Sequence, residues 1–322
     1  MEFSLIDRIR ERTEQGREDV RLGIGDDAAL LAVPPGQELA VAIDTLVEGV
    51  HFPLGTAPAD IGWKALAVNL SDLAAMGAVP AWALLALTLP QADAAFIDGL
   101  ADGFAQLARQ HRLALVGGDT TRGPLTLSVA VHGFVPPEQA LTRAGARVGD
   151  AVLVTGTLGD AAAGLHCLQT AMQVDSRTAM RDALVERLNR PVPRLAAGLA
   201  LRGRASACLD VSDGLLADLG HLCAASGVGA EIDAALLPCS SALLGLFDDG
   251  AARDFALSGG DDYELCFTVP AARVGEVQAD LARLGGGATR IGRIVAGEGV
   301  RVRDAGGDWL EPERAGWDHF AA

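Results

Sequence analysis

Aspartates that follow glycines or end apolar runs are the residues of this sequence best suited to chemistry. Asp27 follows a glycine and a second aspartate, Asp44 closes an apolar strand pattern, and Asp119 follows two glycines. Glycines before a carboxylate allow a ligand to approach the backbone, and strand ends are where α/β sheets present ligand groups. Hard oxygen ligands of this kind suit Mg²⁺ better than zinc. The pattern predicts a magnesium site that handles a nucleotide polyphosphate.

The segment 23–28 superficially matches the dinucleotide fingerprint G-x-G-x-x-A. We reject the match because no convincing strand precedes it. In addition, two carboxylates at the loop tip would repel a pyrophosphate unless a metal stood between them. An Asx-type turn is the structural alternative for this segment.

Asp72 is the most informative single carboxylate. A helix predicted over residues 59–76 places it on the face of Ala65, Val68 and Asn69, in the last turn. Burial and the helix dipole both disfavour a negative charge there, so a cation partner is expected. A frayed helix end that exposes Asp72 to water is the alternative.

Two further clusters lie in the second half. Asp210 ends a predicted strand and Asp213 starts a predicted helix, a spacing that converges on a metal–phosphate site, although Asp213 could be an N-cap only. The segment Ser-Gly-Gly-Asp-Asp-Tyr-Glu-Leu, which contains Asp261, is a third glycine-then-carboxylate turn and leads into a strand; a simple loop turn is its alternative.

Composition excludes several classes of protein. Acidic residues outnumber basic ones by 42 to 26 and the formal charge is −16, which argues against nucleic acid or an anionic membrane as partner. The single lysine, Lys64, follows no glycine-rich loop and lies in a helical pattern, which excludes a Walker-type loop and disfavours a protein kinase. The sequence shows no signal peptide, membrane span or C-x-x-C pair, so we expect a cytoplasmic protein with buried, reduced cysteines.

The elements that position these residues alternate between helix and strand, which predicts an α/β or α+β fold. Periodicity breaks at Pro136-Pro137, so we expect two domains, residues 1–137 and 138–322. The predicted strands cover 38–45, 81–89, 113–117, 125–135, 151–155, 206–210, 229–233, 263–269, 289–295 and 299–303. The predicted helices cover 3–15, 59–76, 92–111, 177–188, 193–202 and 214–225, with another starting at Asp160. The tail carries Trp309, Trp317 and Phe320 and is expected to dock.

In order along the chain, seven motifs resemble those of the thiamine-monophosphate kinases: Gly-Asp-Asp-Ala, Asp-Thr-Leu-Val-Glu-Gly-Val-His-Phe, Asn-Leu-Ser-Asp-Leu-Ala-Ala-Met-Gly-Ala, Gly-Gly-Asp-Thr-Thr-Arg-Gly, Asp-Val-Ser-Asp-Gly-Leu, Gly-Gly-Asp-Asp-Tyr-Glu-Leu and Gly-Trp-Asp-His-Phe. They span residues 25–320. The third is shared with the wider aminoimidazole ribotide synthetase-like superfamily. The resemblance implies an N-terminal sheet domain that pairs with its twin in a homodimer and a C-terminal α/β domain that closes over the nucleotide.

The resemblance also implies roles for individual residues. Several Mg²⁺ ions would be held by Asp27, Ile43, Asp44, Asp72, Asp119, Asp210 and Asp213. ATP would contact Gly118, Asp119, Arg143 and Ser212. Asp213 and Arg143 would be the catalytic residues, with Asp213 near the transferred phosphate and Arg143 neutralising phosphate charge. Thiamine monophosphate would contact His51, Asp261 and Trp317. Tail packing is the structural alternative for Trp317, and a satisfied loop histidine is the alternative for His51.

Two positions depart from the family pattern. Ala42-Ile43 stand where a Ser or Thr run is common before Asp44, so a metal contact at Ile43 must use its backbone carbonyl. Asp261 stands where the family has Glu and is one methylene shorter, which bears on its contact with substrate.

The implied reaction is direct in-line transfer of the ATP γ-phosphoryl group to thiamine monophosphate, which gives thiamine diphosphate. Because the acceptor is an anionic phosphate oxygen, no strong general base is required. One alternative is another ATP-dependent synthetase of the superfamily; selenophosphate synthetase would show an N-terminal cysteine, whereas the first cysteine here is Cys167. A non-catalytic nucleotide- or metal-binding protein is the other, and it would be expected to lack some of the aspartates.

Overall fold

The computed structural model describes residues 2–170, 177–317 and 320. The chain divides into two compact units, one formed by Met1–Leu73 with Ala78–Glu138 and the other by Ala74–Gly77 with Gln139–Ala322. Each unit has its own sheet, so each is described by itself below.

The helices and strands have these bounds. The helices are α1 (Glu2–Thr13), α2 (Pro58–Ala75), α3 (Ala94–Gln110), α4 (Asp160–Gln169), α5 (Thr178–Asn189), α6 (Leu195–Leu201), α7 (Leu215–Ser226), α8 (Ser241–Leu246), α9 (Asp249–Ser258) and α10 (Val274–Arg283). The strands are β1 (Val20–Leu22), β2 (Leu30–Leu31), β3 (Glu38–Val47), β4 (Val79–Leu89), β5 (Ala114–Arg122), β6 (Thr126–Val135), β7 (Ala151–Thr155), β8 (Ala207–Val211), β9 (Gly229–Asp233), β10 (Glu264–Val269), β11 (Ala288–Val295), β12 (Gly299–Arg303) and β13 (Trp309–Leu310).

The first unit is built on a four-stranded sheet of order β3-β6-β4-β5, in which only the β4·β5 pair is parallel. Its two faces differ because side chains alternate along each strand. Leu85 and Val129 lie on the buried face, where Leu73 of α2 approaches Gly133 of β6. Val41 and Ile43 lie on the opposite face and are 58% and 65% exposed. Helices therefore cover one face. On the other face the β1–β2 hairpin packs against Trp82 and Phe134, and the part around Val41 and Ile43 stays open.

Two glycines let α2 and α3 pack against each other at backbone distance. A Cβ atom on Gly62 of α2 would overlap the carbonyl of Leu100, and one on Gly103 of α3 would overlap the carbonyl of Ala59. No other residue type fits at these two crossings. Both glycines lie inside helices, where they cost conformational entropy, so close packing is what explains them.

The second unit contains a seven-stranded sheet of order β13-β12-β9-β11-β7-β10-β8. Its pairs are antiparallel except β12·β9. The core between this sheet and α7 is apolar, with Leu209, Leu219 and Ile232 almost fully buried. Strand β8 stands at the sheet edge and carries Asp210, so this edge brings a carboxylate to the start of α7.

The two-domain α/β architecture expected from the sequence is confirmed, and the predicted strands and helices are present with shifted ends. The pattern analysis missed β1, β2, β13 and α8, which are all very short, and it also missed α9 and α10, although α10 is clearly amphipathic. None of the cysteines in the described residues forms a disulfide; four are buried and Cys239 is half-buried. None of the described helices is long and apolar enough to cross a bilayer.

The packing at Gly103 gives a stability test. We expect Gly103→Ala to lower the free energy of unfolding by about 1–3 kcal/mol, because the added methyl group forces α2 and α3 apart. Gly220 of α7 is the matched control, since nothing lies within 4 Å of its Cβ position. Gly220→Ala should raise stability by about 1 kcal/mol through helix propensity. Urea unfolding measures both, and a neutral or stabilising Gly103→Ala would contradict the packing account.

Candidate functional site

Asp44 and Asp72 are linked through a buried asparagine. The backbone N–H of Asp44 donates to Asn69 Oδ1 at 3.0 Å, and Asn69 Nδ2 donates to the carbonyl of Ala65 at 2.9 Å. Asn69 is fully buried and lies three residues before Asp72 on α2, which places the two side chains on one helix face. The structure therefore brings Asp44 and Asp72 into one neighbourhood.

Asp72 lies in the last turn of α2 with no basic residue in that turn, as the sequence predicts. Its face also holds Ala65 and Val68, both buried, and Asp72 itself is half-buried. The helix end does not expose it fully to water, so a frayed end does not account for it. The unfavourable dipole and the partial burial stay consistent with a cation partner.

Asp44 and Asp119 lie inside strands, and the expectation that they close strands is wrong. β3 continues to Val47 and β5 to Arg122. Across the sheet, Asp44 is paired with Val129, Val129 with Leu85, and Leu85 with Gly118. Asp44 therefore shares a face with position 118, and Asp119, the next residue along β5, lies on the opposite face of the sheet. With β3 and β5 three strand spacings apart, or about 14 Å, one chain does not offer both aspartates to the same ion.

Gly118 has a structural reason to be glycine. Its φ is +156°, and a Cβ atom there would overlap the backbone carbonyl of Leu85 on the neighbouring strand. The glycine is therefore required for the close pairing of β4 and β5. Its contact with ATP stays a prediction.

Asp27 lies on an exposed loop after β1, and its N–H donates to Asp26 Oδ1 at 2.9 Å. The argument that no strand precedes this loop is wrong, because β1 does. The dinucleotide reading still fails because no helix follows the loop. His51 is held locally: its Nδ1 accepts from the N–H of Val47 at 3.0 Å and its carbonyl accepts from Lys64 Nζ at 2.9 Å.

Among the described residues, no three His, Cys, Asp or Glu side chains are grouped closely enough to hold a metal ion by themselves. The available donors are carboxylate oxygens, which suit Mg²⁺. Magnesium in phosphate-transfer sites is commonly bound by one or two carboxylates together with waters and substrate phosphates. Separate carboxylates fit that mode and do not fit a preformed protein cage.

In the second unit, a turn formed by residues 211–214 follows the almost fully buried Asp210. The Asp218 Oδ2 atom accepts hydrogen bonds from the backbone N–H groups of Ser212, Asp213 and Gly214 at 3.0, 3.0 and 3.1 Å. The N-cap of α7 is Gly214, so the alternative that Asp213 is merely the cap does not hold. One buried carboxylate thus fixes the backbone of the turn.

The pKa of Asp218 is raised to about 7, chiefly by burial and in addition by the nearby carboxylates of Asp210 and Asp213. The hydrogen bonds from the turn act in the opposite direction, because they favour the ionised form. The chain therefore concentrates negative charge at this turn, which is the electrostatic setting that a bound cation relieves.

The loop that carries Asp261 is bonded to the same turn. The N–H of Asp261 donates to the carbonyl of Ser212, and the N–H of Tyr263 donates to the carbonyl of Val211, both at 2.8 Å. Asp261 and Tyr263 have φ values of +70° and +52°, and the Tyr263 hydroxyl donates to Asp261 Oδ1 at 3.0 Å. Non-glycine residues in this region are strained, and such strain is concentrated at functional sites.

The tail is attached to the turn at Trp317, whereas Phe320, which was also expected to dock, is 97% exposed. The N–H of Trp317 donates to the carbonyl of Asp213 at 2.8 Å, and the N–H of Ala217 donates to the carbonyl of Ala315 at 3.0 Å. Trp317 stays 56% exposed, so packing of its ring does not explain it fully. The Asp318 and His319 positions of the last motif lie outside the described residues.

Arg143 lies exposed on a loop beside β8. The loop is held by Ser226 Oγ, which donates to the carbonyl of Arg143 at 3.1 Å and accepts from the N–H groups of Gly145 and Ala146. The N–H of Cys208 donates to the carbonyl of Thr142, which attaches the loop to the strand of Asp210. The structure thus places Arg143 on this edge of the sheet.

Behind the Asp261 loop lies a buried ionic network that the sequence analysis missed. Glu264 is fully buried and accepts from Arg194 Nε at 2.6 Å, Arg187 Nη2 at 2.9 Å and Thr155 Oγ1 at 2.6 Å. Asp262 is buried beside it and accepts from the N–H of Gly159 at 2.7 Å; burial raises its pKa well above the ordinary value. These contacts anchor the strand that begins where the strained loop ends.

The Glu264 network predicts a large loss of stability on neutralisation. Glu264→Gln should lower the free energy of unfolding by about 3 kcal/mol, because Arg194 and Arg187 lose their buried counter-charge. Glu231 is the control: it bridges Arg293 and Arg301, whose side chains are 59% and 58% exposed. Glu231→Gln should cost under about 1 kcal/mol. Equal losses in urea unfolding would show that burial of the Glu264 pairs is not what matters.

Asp218, Asn69 and Glu264 are the site-forming residues that sequence reasoning did not assign. An acidic residue in the first turn of a helix after Ser-Asp-Gly is a usable signal for Asp218, since a side chain there can reach back to N–H groups ahead of the helix. Asn69 and Glu264 give no comparable local signal, because the contacts that give them their roles, with Asp44 and with two arginines respectively, join residues distant in sequence.

Comparisons with known proteins show the family to which the chain belongs. Residues 25–135 match the N-terminal domain model of the AIR synthase related proteins, and residues 147–305 match the corresponding C-terminal domain model. The chain is 52% identical to thiamine-monophosphate kinase from Escherichia coli (strain K12) over 323 residues, which covers 99% of this chain and 98% of that protein.

Two solved structures are similar over nearly the whole chain. Thiamine-monophosphate kinase from Stenotrophomonas maltophilia K279a has a TM-score of 0.87 and 54% identity, covering 93% of this chain and 96% of that one. AaThiL complexed with AMPPCP and TMP has a TM-score of 0.79 and 35% identity, covering 99% of this chain and 96% of that one. The chain therefore belongs to the AIR synthase related family and, within it, to the thiamine-monophosphate kinases.

Proposed function

We propose that the chain transfers the γ-phosphoryl group of ATP to the phosphate of thiamine monophosphate, giving thiamine diphosphate and ADP. The observation that carries this is the 52% identity to thiamine-monophosphate kinase over 99% of the chain. In support of this function, the carboxylates and the strained Asp261 loop lie within the motifs that resemble those of the family. No feature of the described residues favours a different acceptor.

The protein's own part in the reaction is binding and orientation. Ser212 and Arg143 bind phosphate oxygens, with Arg143 screening charge on the group in transfer. His51, Asp261 and Trp317 bind thiamine monophosphate; the indole face of Trp317 offers a cation–π contact to the thiazolium ring. The acceptor oxygen is already anionic, so the chain has to align two reactants and needs no strong base.

Magnesium is the cofactor that these residues fit. Asp27, Asp44, Asp72, Asp119, Asp210 and Asp213 would hold the ions, with the backbone carbonyl of Ile43 as a further ligand. When bound, Mg²⁺ neutralises charge on the polyphosphate. The separation of Asp44 from Asp119 across the sheet supports more than one ion.

The reaction is tested by incubating the protein with ATP, Mg²⁺ and thiamine monophosphate and measuring thiamine diphosphate by chromatography. Wild type should form the product, and Asp119→Asn should lower the rate by about 100-fold, because a metal ligand at the polyphosphate is lost. Asp102→Asn is the control, because Asp102 is an exposed residue of α3 that forms an ion pair with Arg12 of α1. No product from wild type refutes the proposed function; equal rates for wild type and Asp119→Asn remove Asp119 from the metal ligands.

A cytoplasmic homodimer formed through the open face of the first sheet is also proposed. Val41, Ile43 and Leu84 are 58%, 65% and 37% exposed on that face. Across it, Ile43, Ala130 and Leu84 stand in one row. An apolar sheet face of this kind is suited to a second copy, since association removes it from water.

The dimer predicts a specific response to a charge on the open face. Val41→Asp should convert the protein from dimer to monomer in sedimentation analysis, because a carboxylate would be buried without a partner. Val148 is an equally exposed apolar control, at 62%, in the other unit, and Val148→Asp should leave the dimer intact. A monomeric wild type, or a dimeric Val41→Asp, would refute this interface.

A further inference from the structure

The turn of residues 211–214 is the point at which several proposed site residues are joined. Its carbonyls accept from the N–H groups of Asp261, Tyr263 and Trp317. Two of those residues are proposed to bind thiamine monophosphate. The turn itself contains Ser212 and Asp213, which are proposed to bind the phosphates and the metal. Its backbone therefore positions residues for both substrates.

A single side chain accepts the hydrogen bonds that the backbone N–H groups of this turn donate. Asp218 is 94% buried and its Oδ2 accepts from three consecutive backbone N–H groups, of Ser212, Asp213 and Gly214. Its own N–H donates to the carbonyl of Gly214 at 3.0 Å, so the turn and the first turn of α7 are bonded in both directions. Gly214 has a φ of +126°, which only glycine adopts readily.

Ordinary helix capping does not require this arrangement. Asp248 caps α9 from the N-cap position with one hydrogen bond, to the N–H of Ala251 at 2.8 Å. Asp218 instead reaches back from the helix to three groups that precede it, including the N–H of the N-cap Gly214. The three hydrogen bonds fix the backbone of the turn and so fix the direction in which the side chains of Ser212 and Asp213 point.

We propose that Asp218 is a positioning residue of the phosphoryl-transfer site, which acts through the turn and touches neither substrate. It orients Ser212 and Asp213 toward the nucleotide. Through the carbonyls of these two residues it also positions Asp261 and Trp317, which bind the acceptor. The proposal rests on the proposed function. Its particular content is that one change at Asp218 disturbs both substrates together.

Asp218→Asn is the test variant, because it keeps the shape and replaces one carboxylate oxygen by an amide group that donates. Measured well below the melting temperature, it should raise the KM values of ATP and of thiamine monophosphate about tenfold each, lower kcat about tenfold, and raise the Mg²⁺ concentration for half-maximal rate about tenfold. Trp317→Ala should raise the KM of thiamine monophosphate alone, and Asp248→Asn should change none of these values.

The outcomes separate the possibilities. An inactive wild type refutes the proposed function before any variant is compared. An active wild type with an Asp218→Asn variant that melts earlier but keeps both KM values and the Mg²⁺ dependence refutes the positioning role and leaves a structural one. An effect on one substrate only also refutes it.

If Asp218→Asn does not fold, two further experiments test the proposal: the variant Asp218→Glu and a measurement on the wild type. Asp218→Glu keeps the charge but displaces the acceptor oxygen, and it should give the same paired rise in both KM values. If neither variant folds, hydrogen exchange of the wild-type amides of Ser212, Asp213 and Gly214 decides. Protection of all three supports the proposal, and rapid exchange overturns it.

Discussion

Electrostatic repulsion is the constraint on which the arrangement of this protein depends. The chain carries a formal charge of −16, yet it belongs to a family of kinases that act on two phosphate-bearing substrates. Its only lysine is almost fully buried and donates to the carbonyl of His51, so it serves the fold. Under the proposed function, charge compensation falls to Arg143 and to divalent cations held by carboxylates, which would explain why the motifs are rich in aspartate and poor in basic residues.

Backbone hydrogen bonds together with two buried carboxylates hold the turn and the loops of the second unit in place. The strained Asp261 loop and the Trp317 tail are each attached by an N–H group to the turn after Asp210, and the turn is fixed in its own right by Asp218. Glu264 then secures the strand behind the loop through two arginines. Such a chain of contacts holds side chains within the narrow tolerances that in-line transfer requires.

The parts that sequence predicted are those with a local signal. The face and the last turn of α2 follow from helical periodicity, so the position of Asp72 was predictable, and the turn after Asp210 follows from an apolar strand ending in Ser-Asp-Gly. The strand ends were missed because aspartate is depleted in strands, so Asp44 and Asp119 were interpreted as ends. β3 continues through residues 45–47 and β5 through residues 120–122, where both strands stay paired in the sheet. The partners of Asn69 and Glu264 are set by tertiary packing and leave no spacing pattern.

Binding of the non-hydrolysable ATP analogue AMPPCP, measured by calorimetry with and without Mg²⁺, tests the central claim most directly. If carboxylate-bound cations neutralise the phosphates, the analogue should bind in Mg²⁺ and show no measurable heat in excess chelator, with the protein still folded by circular dichroism. An unchanged Kd in chelator would contradict the claim, because the chain would then bind a polyphosphate against its own negative charge without a cation.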